Sequence, residues 1–148
     1  MHKIAAEYRG PHKIRLLDCP ETEYKGFIGC NRHMAWLMNQ VQGEVTFPQS
    51  ADDWSIPHRV ETQMKVFEKT GADMVAGKVQ YEERGVIIGL TQHDVEGFLT
   101  MKQVVEDKVA SSCTTDWRTD FWRRATPIPE IVGSDVWLPP IAVAMNGV

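Results

Sequence analysis

Two adjacent carboxylates, Asp52 and Asp53, are the residues of this chain whose types and spacing most directly suggest chemistry. They follow a short apolar segment, residues 45–47, and precede a helical pattern that begins near residue 56. This order predicts that the pair lies at the carboxyl end of a strand, where open α/β sheets bind ligands. Carboxylate oxygens at such a place suit a hard divalent cation, which often bridges to substrate phosphates.

The same two aspartates also suit a turn or the start of a helix, because their side chains accept backbone hydrogen bonds there. Two neighbouring acidic residues form a short motif, and short motifs often arise without function. On the pair alone, the structural interpretation is the more common one. Both interpretations stay open until further residues are considered.

Strands and helices alternate around the acidic pair. Residues 56–69 predict a helix, with Ser55 as a possible cap, Gly71 just past the end and apolar side chains at Val60, Met64 and Phe67. The alternation predicts an α/β fold with a mixed, mostly parallel sheet flanked by helices. The other predicted elements are strands at 13–17, 73–81 and 86–91 with a hairpin turn at 82–85, and helices at 31–42, 98–108, 116–124 and from Ser134 onward.

The composition bounds the class of protein. A chain of 148 residues fits one domain, 1–148, and its 43% hydrophobic and 24% charged content is ordinary for a globular protein. The net charge of −4 argues against nucleic acid as a partner. The three cysteines and five histidines show no zinc-ligand spacing. No apolar run is long enough to span a membrane and the N-terminus lacks a signal peptide, so we expect a cytoplasmic location, with membrane-peripheral attachment left open.

Several further motifs stand in a recognisable order. A Gly-Glu pair at 43–44 opens the strand that leads to the acidic pair, P-x-R-V-E-x-Q follows at 57–63, and G-A-D-M-V follows at 71–75. Later, W-R-x-x-F-W-R occupies 117–123 and G-S-D-V-W-L-P occupies 133–139. In this order and spacing the chain resembles the family-two glycosyltransferases, which are inverting enzymes that use nucleotide sugars.

The resemblance implies part of a nucleotide-diphospho-sugar transferase fold and the transfer of a sugar from a nucleotide-sugar donor to a glycan or lipid-linked hydroxyl acceptor, with inversion. It implies that Asp52 and Asp53 bind Mn²⁺ or Mg²⁺, and that Asp53 also orients the substrates. Asp135 would be the general base that takes the proton of the acceptor hydroxyl. For the tryptophans, packing in the core is at least as good an interpretation. The residues expected to contact substrate are Ser50, Trp54, Trp117 and Arg118.

The chain also departs from the family pattern. Ser50 replaces the first carboxylate of the family's Asp-x-Asp motif, and the family's first strands have no counterpart before Lys3. The resemblance therefore implies a truncated or reduced relative. Because a sheet without those strands exposes an edge, we expect a homo-oligomer or a partner chain to cover it. The competing hypothesis is a non-catalytic interaction or assembly module derived from this fold.

Overall fold

The computed structural model describes residues 7–19, 26–50, 53–90, 96–106, 114–129 and 132–145. Within these ranges the chain forms a small mixed α/β protein, and no helix there is long and apolar enough to cross a membrane. The helices are α1 (Gly26–Met38), α2 (Arg59–Thr70), α3 (Met101–Val105), α4 (Thr119–Ala125) and α5 (Ser134–Met145). The strands are β1 (Val45–Thr46), β2 (Met74–Ala76), β3 (Gln80–Glu83), β4 (Val86–Leu90) and β5 (Thr115–Arg118).

The three-stranded sheet has the order β1-β5-β2, and β5 is antiparallel to both of its neighbours. Thr46 and Met74 both lie opposite Trp117, on either side of the middle strand. The prediction of a mostly parallel sheet is therefore wrong. The helix between β1 and β2 does make these two strands run in the same direction. A helical crossover lets two strands run in the same direction, but it does not require them to be neighbours in the sheet. Here β5, which comes later in the chain, pairs with both and separates them.

The second sheet is the hairpin of β3 and β4, which confirms the predicted turn. Glu83 pairs with Val86, so Arg84 and Gly85 form a two-residue loop. Both have positive φ, 52° and 81°, the pattern of a type I′ turn, which matches the twist of the flanking strands. The predicted strand over 73–81 is divided between β2 and β3, because the chain leaves the first sheet after Ala76.

Helix α2 begins at Arg59, three residues later than predicted, and ends as predicted. The predicted cap, Ser55, does not cap the helix, because the N-cap position is occupied by His58, whose side chain makes no cap hydrogen bond. Gly71 takes the left-handed conformation, with φ of 67°, and its N–H donates to the carbonyl of Phe67.

Helix α1 begins and ends earlier than the predicted helix at 31–42. Two further predicted elements differ in type. Residues 13–17 form no strand, and their apolar side chains are exposed. Residues 116–124 are not one helix, since the chain continues as β5 through Arg118 before α4 begins. The β-branched Thr-Thr pair at 114–115 favours extended backbone. The strand β5 therefore includes Asp116, Trp117 and Arg118, which were predicted to be helical.

The core lies between the sheet and helices α3, α4 and α5. Trp117 of β5 and Trp122 of α4 pack at its centre with ring centroids 4.9 Å apart. Helix α5 is apolar along most of its length and contains Pro139 and Pro140, which lack the N–H that a helix interior requires. The buried apolar residues of this core cluster are Met38, Met74, Leu99, Val104, Trp117, Phe121, Trp122, Ala125, Ile128, Leu138 and Ala142.

Candidate functional site

The segment between β1 and α2, residues 47–58, carries the two aspartates, and we refer to it as the acidic loop. Asp52 lies outside the described residues. The described residues on either side of it contact each other, since Gln49 Nε2 donates to the carbonyl of Asp53 at 2.9 Å and Ser55 Oγ donates to Gln49 Oε1. The side chains of Gln49 and Ser55 thus join the two arms of the loop.

Arg59, the first residue of α2, donates hydrogen bonds to both arms of the acidic loop. Its Nη1 donates to Gln49 Oε1 at 3.3 Å and to Ser55 Oγ at 3.1 Å. Its Nε donates to Gln63 Oε1 at 3.0 Å, one helical turn further along. Its Nη2 donates to Asp116 Oδ1 at 2.6 Å. One guanidinium therefore connects the loop, the helix and the middle strand of the sheet.

Asp116 is the buried end of this network. The residue is 0% exposed, and within the described part of the chain its second oxygen, Oδ2, has no hydrogen-bond partner. Burial raises the pKa of Asp116 from 3.8 to about 6, against the opposing effects of the Arg59 charge and hydrogen bond. The carboxylate is thus ionised at neutral pH and becomes neutral under mildly acidic conditions.

The sequence-predicted residues of the acidic loop are on the surface. Ser50 and Asp53 are exposed, and the amide of Asp53 lies 3.4 Å from the carbonyl of Ser50. Trp54 is 98% exposed. The structure therefore brings these three side chains to one accessible loop, as their position in the sequence requires.

Asp135, the expected general base, lies in the first turn of α5 and is exposed. Helix α5 packs against α3 and α4. Over the described ranges, no hydrogen bond or ion pair joins Asp135 to the acidic loop. Its role as a base stays a prediction.

Trp117 and Arg118 make contacts within the fold. Trp117 is 2% exposed, and its Nε1 has no partner among the described atoms. The guanidinium of Arg118 donates to the carbonyl of Ala72 at 3.1 Å and to that of Phe67 at 3.2 Å, and it lies 5.6 Å from the centroid of the Phe67 ring. Both side chains stabilise the end of α2 or the core, and their expected contacts with substrate stay predictions.

The described part of the acidic loop offers a divalent metal one exposed carboxylate, that of Asp53. In the part of the chain that the structure describes, no group of three histidine, cysteine or acidic side chains could hold a metal ion. That search leaves out Asp52. The exposed carboxylate of Asp53 supplies the hard oxygen donors that Mg²⁺ and Mn²⁺ prefer, and such ions take many of their ligands from water and substrate phosphates.

Sequence reasoning missed the residues beneath the loop. The sequence pattern predicts Asp116 in a helix, although an aspartate between Thr115 and Trp117 in an extended segment is an unusual core residue. Arg59 and Gln63 belong to the motif at 57–63, and their spacing of four residues places them on one face of α2. That spacing is a signal for their hydrogen bond, but nothing local points to Asp116.

A second buried aspartate provides a useful comparison. Asp73, just before β2, is buried and accepts two hydrogen bonds of 3.0 Å from Arg124 Nη2 on α4. Like Asp116, Asp73 pairs with an arginine, but Arg124 connects it to helix α4 and not to the acidic loop.

Comparison with known proteins finds no match for this chain among protein-family models, curated proteins or solved structures.

Proposed function

We propose that this protein is a metal-dependent glycosyltransferase that moves a sugar from a nucleotide-sugar donor to a hydroxyl acceptor with inversion. The observation that carries the proposal is the attachment of the acidic loop at both arms by Arg59, through Gln49 and Ser55. A carboxylate on an ordered loop loses less conformational entropy on binding a cation than one on a mobile loop. The attachment of the loop thus supports the proposal that a metal–diphosphate group binds there.

The loop residues have distinct tasks in this reaction. Asp52 and Asp53 hold Mn²⁺ or Mg²⁺, which when bound neutralises charge on the diphosphate leaving group. Asp53 also orients the substrates, and Ser50 contacts the donor. The exposed ring of Trp54 offers an apolar face to the sugar or the base.

Asp135 acts as the base in this proposal by accepting the proton of the acceptor hydroxyl as that oxygen attacks the anomeric carbon. The acceptor class is a glycan or a lipid-linked hydroxyl, and the proposed location is the cytoplasm. Asp135 is exposed at the start of α5, so an acceptor reaches its carboxylate without displacing core side chains.

The first test is a thermal-shift titration with Mn²⁺ and a panel of nucleoside diphosphates and their sugars. We expect stabilisation that needs both metal and nucleotide in the wild-type protein, and its loss in Asp53→Asn. Asp120→Asn is the matched control, because Asp120 is an exposed aspartate on α4, where it pairs with Arg123. No shift with any nucleotide contradicts the proposed donor site.

The second test measures sugar transfer by Asp135→Asn. We expect the variant to keep the metal- and nucleotide-dependent stabilisation and to lose turnover, since a base acts on the acceptor and not on the donor diphosphate. Unchanged turnover would assign the base to another residue.

The alternative function is a non-catalytic assembly module, and the β3–β4 hairpin favours it. Tyr81, Val86, Ile87 and Ile88 are each more than half exposed. An isolated hairpin is only marginally stable in water, and an apolar open edge invites pairing with another chain. A second copy of this chain is the occupant we test, by sedimentation velocity of the wild type and of Ile88→Thr. A wild-type monomer at high concentration contradicts this alternative.

A further inference from the structure

We infer that Arg59 and Asp116 are positioning residues for the acidic loop: Asp116 fixes the guanidinium of Arg59, and Arg59 fixes the loop. The consequence for metal binding rests on the proposed function. The consequence for the order of the loop does not, because it follows from the hydrogen bonds alone.

The fixed point of the network is the middle of the sheet. Asp116 lies in β5, whose backbone pairs on one side with β1 and on the other with β2. A central strand of a sheet is among the last parts of a protein to open, whereas surface loops open readily. A loop tied to Asp116 through one side chain thus gains some of the rigidity of the sheet.

Arg59 is suited to this task by its planar, multi-donor head group. Its four hydrogen bonds leave in different directions, to Gln63, to both loop residues and to Asp116. A lysine carries the same charge but no rigid planar fork, so it cannot satisfy these acceptors together. Asp116 restricts the guanidinium to the one orientation that reaches both arms of the loop.

Hydrogen–deuterium exchange of the loop tests this inference without any ligand. We expect the amide of Asp53, which donates to the carbonyl of Ser50, to exchange roughly tenfold faster in Asp116→Asn and in Arg59→Lys than in the wild type, because a hydrogen bond to a charged group that holds the loop is lost or weakened. Ser55→Ala removes the hydrogen bonds of one exposed loop residue with Arg59 and with Gln49, so it tests whether this attachment orders the loop if the other two variants do not fold.

The matched controls are Asp73→Asn and Arg124→Gln, which break the pair between the buried Asp73 and the half-exposed Arg124. We expect both to lower the Tm and to leave exchange of the loop at the wild-type rate. If Asp116→Asn changes loop exchange no more than Asp73→Asn does, Asp116 is a core residue without a positioning role and the inference fails.

Affinity for Mn²⁺ alone, measured by electron paramagnetic resonance of the free ion, provides the second readout. We expect roughly tenfold weaker binding in Asp116→Asn and wild-type binding in Arg124→Gln. Unchanged affinity for Mn²⁺ in Asp116→Asn would show that Asp116 does not position the loop for metal binding. If the wild type binds no Mn²⁺, the proposed function fails, and loop exchange alone decides whether Asp116 orders the loop.

Discussion

Arg59 Nη2 lies 2.6 Å from Asp116 Oδ1, so the cation that opens α2 is paired with a fully buried carboxylate in the middle strand. The side chain of Arg59 is itself only 14% exposed. Pairs of this kind cost desolvation energy when they form, and the loss of one partner leaves the other charge buried and uncompensated. The effect of removing Arg59 should therefore depend on whether Asp116 is ionised.

We expect Arg59→Gln to lower the free energy of unfolding by about 3 kcal/mol at about pH 7. Near pH 5 the loss should be clearly smaller, because Asp116, with its pKa raised to about 6, is then mostly neutral. Urea denaturation at the two pH values measures both losses. Equal losses at the two values would show that the charge of Asp116 is not what Arg59 compensates.

The pKa of Asp116 also predicts the pH dependence of wild-type stability. A carboxyl whose pKa is higher in the folded than in the unfolded state binds more protons when folded, so its contribution is fully present below 3.8 and is lost as pH rises through about 6. We expect a decrease on the order of 1 kcal/mol over this window, from this group alone.

Asp116→Asn is the variant that isolates this contribution, because asparagine does not titrate. The difference in unfolding free energy between wild type and variant should change over the pH window of the previous prediction and be constant outside it. Asp73→Asn is the control and should keep the wild-type slope there. A slope retained in Asp116→Asn would assign the titration to another group.

The tryptophans should separate into core and surface residues. Trp122→Ala removes a ring that packs on Trp117, and we expect it to lower the free energy of unfolding by about 3–5 kcal/mol. Trp54→Ala, at a residue 98% exposed, should change stability by less than about 0.5 kcal/mol. If Trp54 contacts the donor, nucleotide-sugar affinity falls in Trp54→Ala without a change in Tm. A large fall in Tm for Trp54→Ala would contradict its surface position.

Arg118 is expected to act on the end of α2. Its guanidinium donates to the carbonyls of Phe67 and Ala72 and lies over the Phe67 ring, so Arg118→Ala should lower the free energy of unfolding by about 2 kcal/mol. Denaturation and nucleotide affinity measured on the same samples distinguish the two roles. Weaker binding with an unchanged Tm would instead support the predicted contact with substrate.

The elements that could be predicted from the sequence are those whose signals are local. The end of α2 follows from Gly71 and from the apolar spacing of Val60, Met64 and Phe67. The turn of the hairpin follows from Gly85 and the apolar, β-branched segment that begins directly after it. Each depends on a few consecutive residues, so no knowledge of the tertiary fold is needed.

The sheet order and the residues beneath the acidic loop could not be predicted in this way. The pairing of Val45 with Arg118 joins residues far apart in the chain, and no local pattern indicates that β5 lies between β1 and β2. The same holds for Asp116, whose raised pKa and partner arise only when α2 packs near β5. Ser50, Asp53 and Trp54 were placed together because they are neighbours in the sequence.

The position of β5 between two earlier strands has a consequence for biosynthesis. Translation produces β1 and β2 well before residues 115–118, so both strands leave the ribosome without the neighbour to which they will hydrogen-bond. Unpaired strands in a growing chain are exposed to aggregation until their partner appears. The nascent protein thus depends on β5 to complete the sheet. The non-local closure of that sheet sets the period during which a chaperone is most useful.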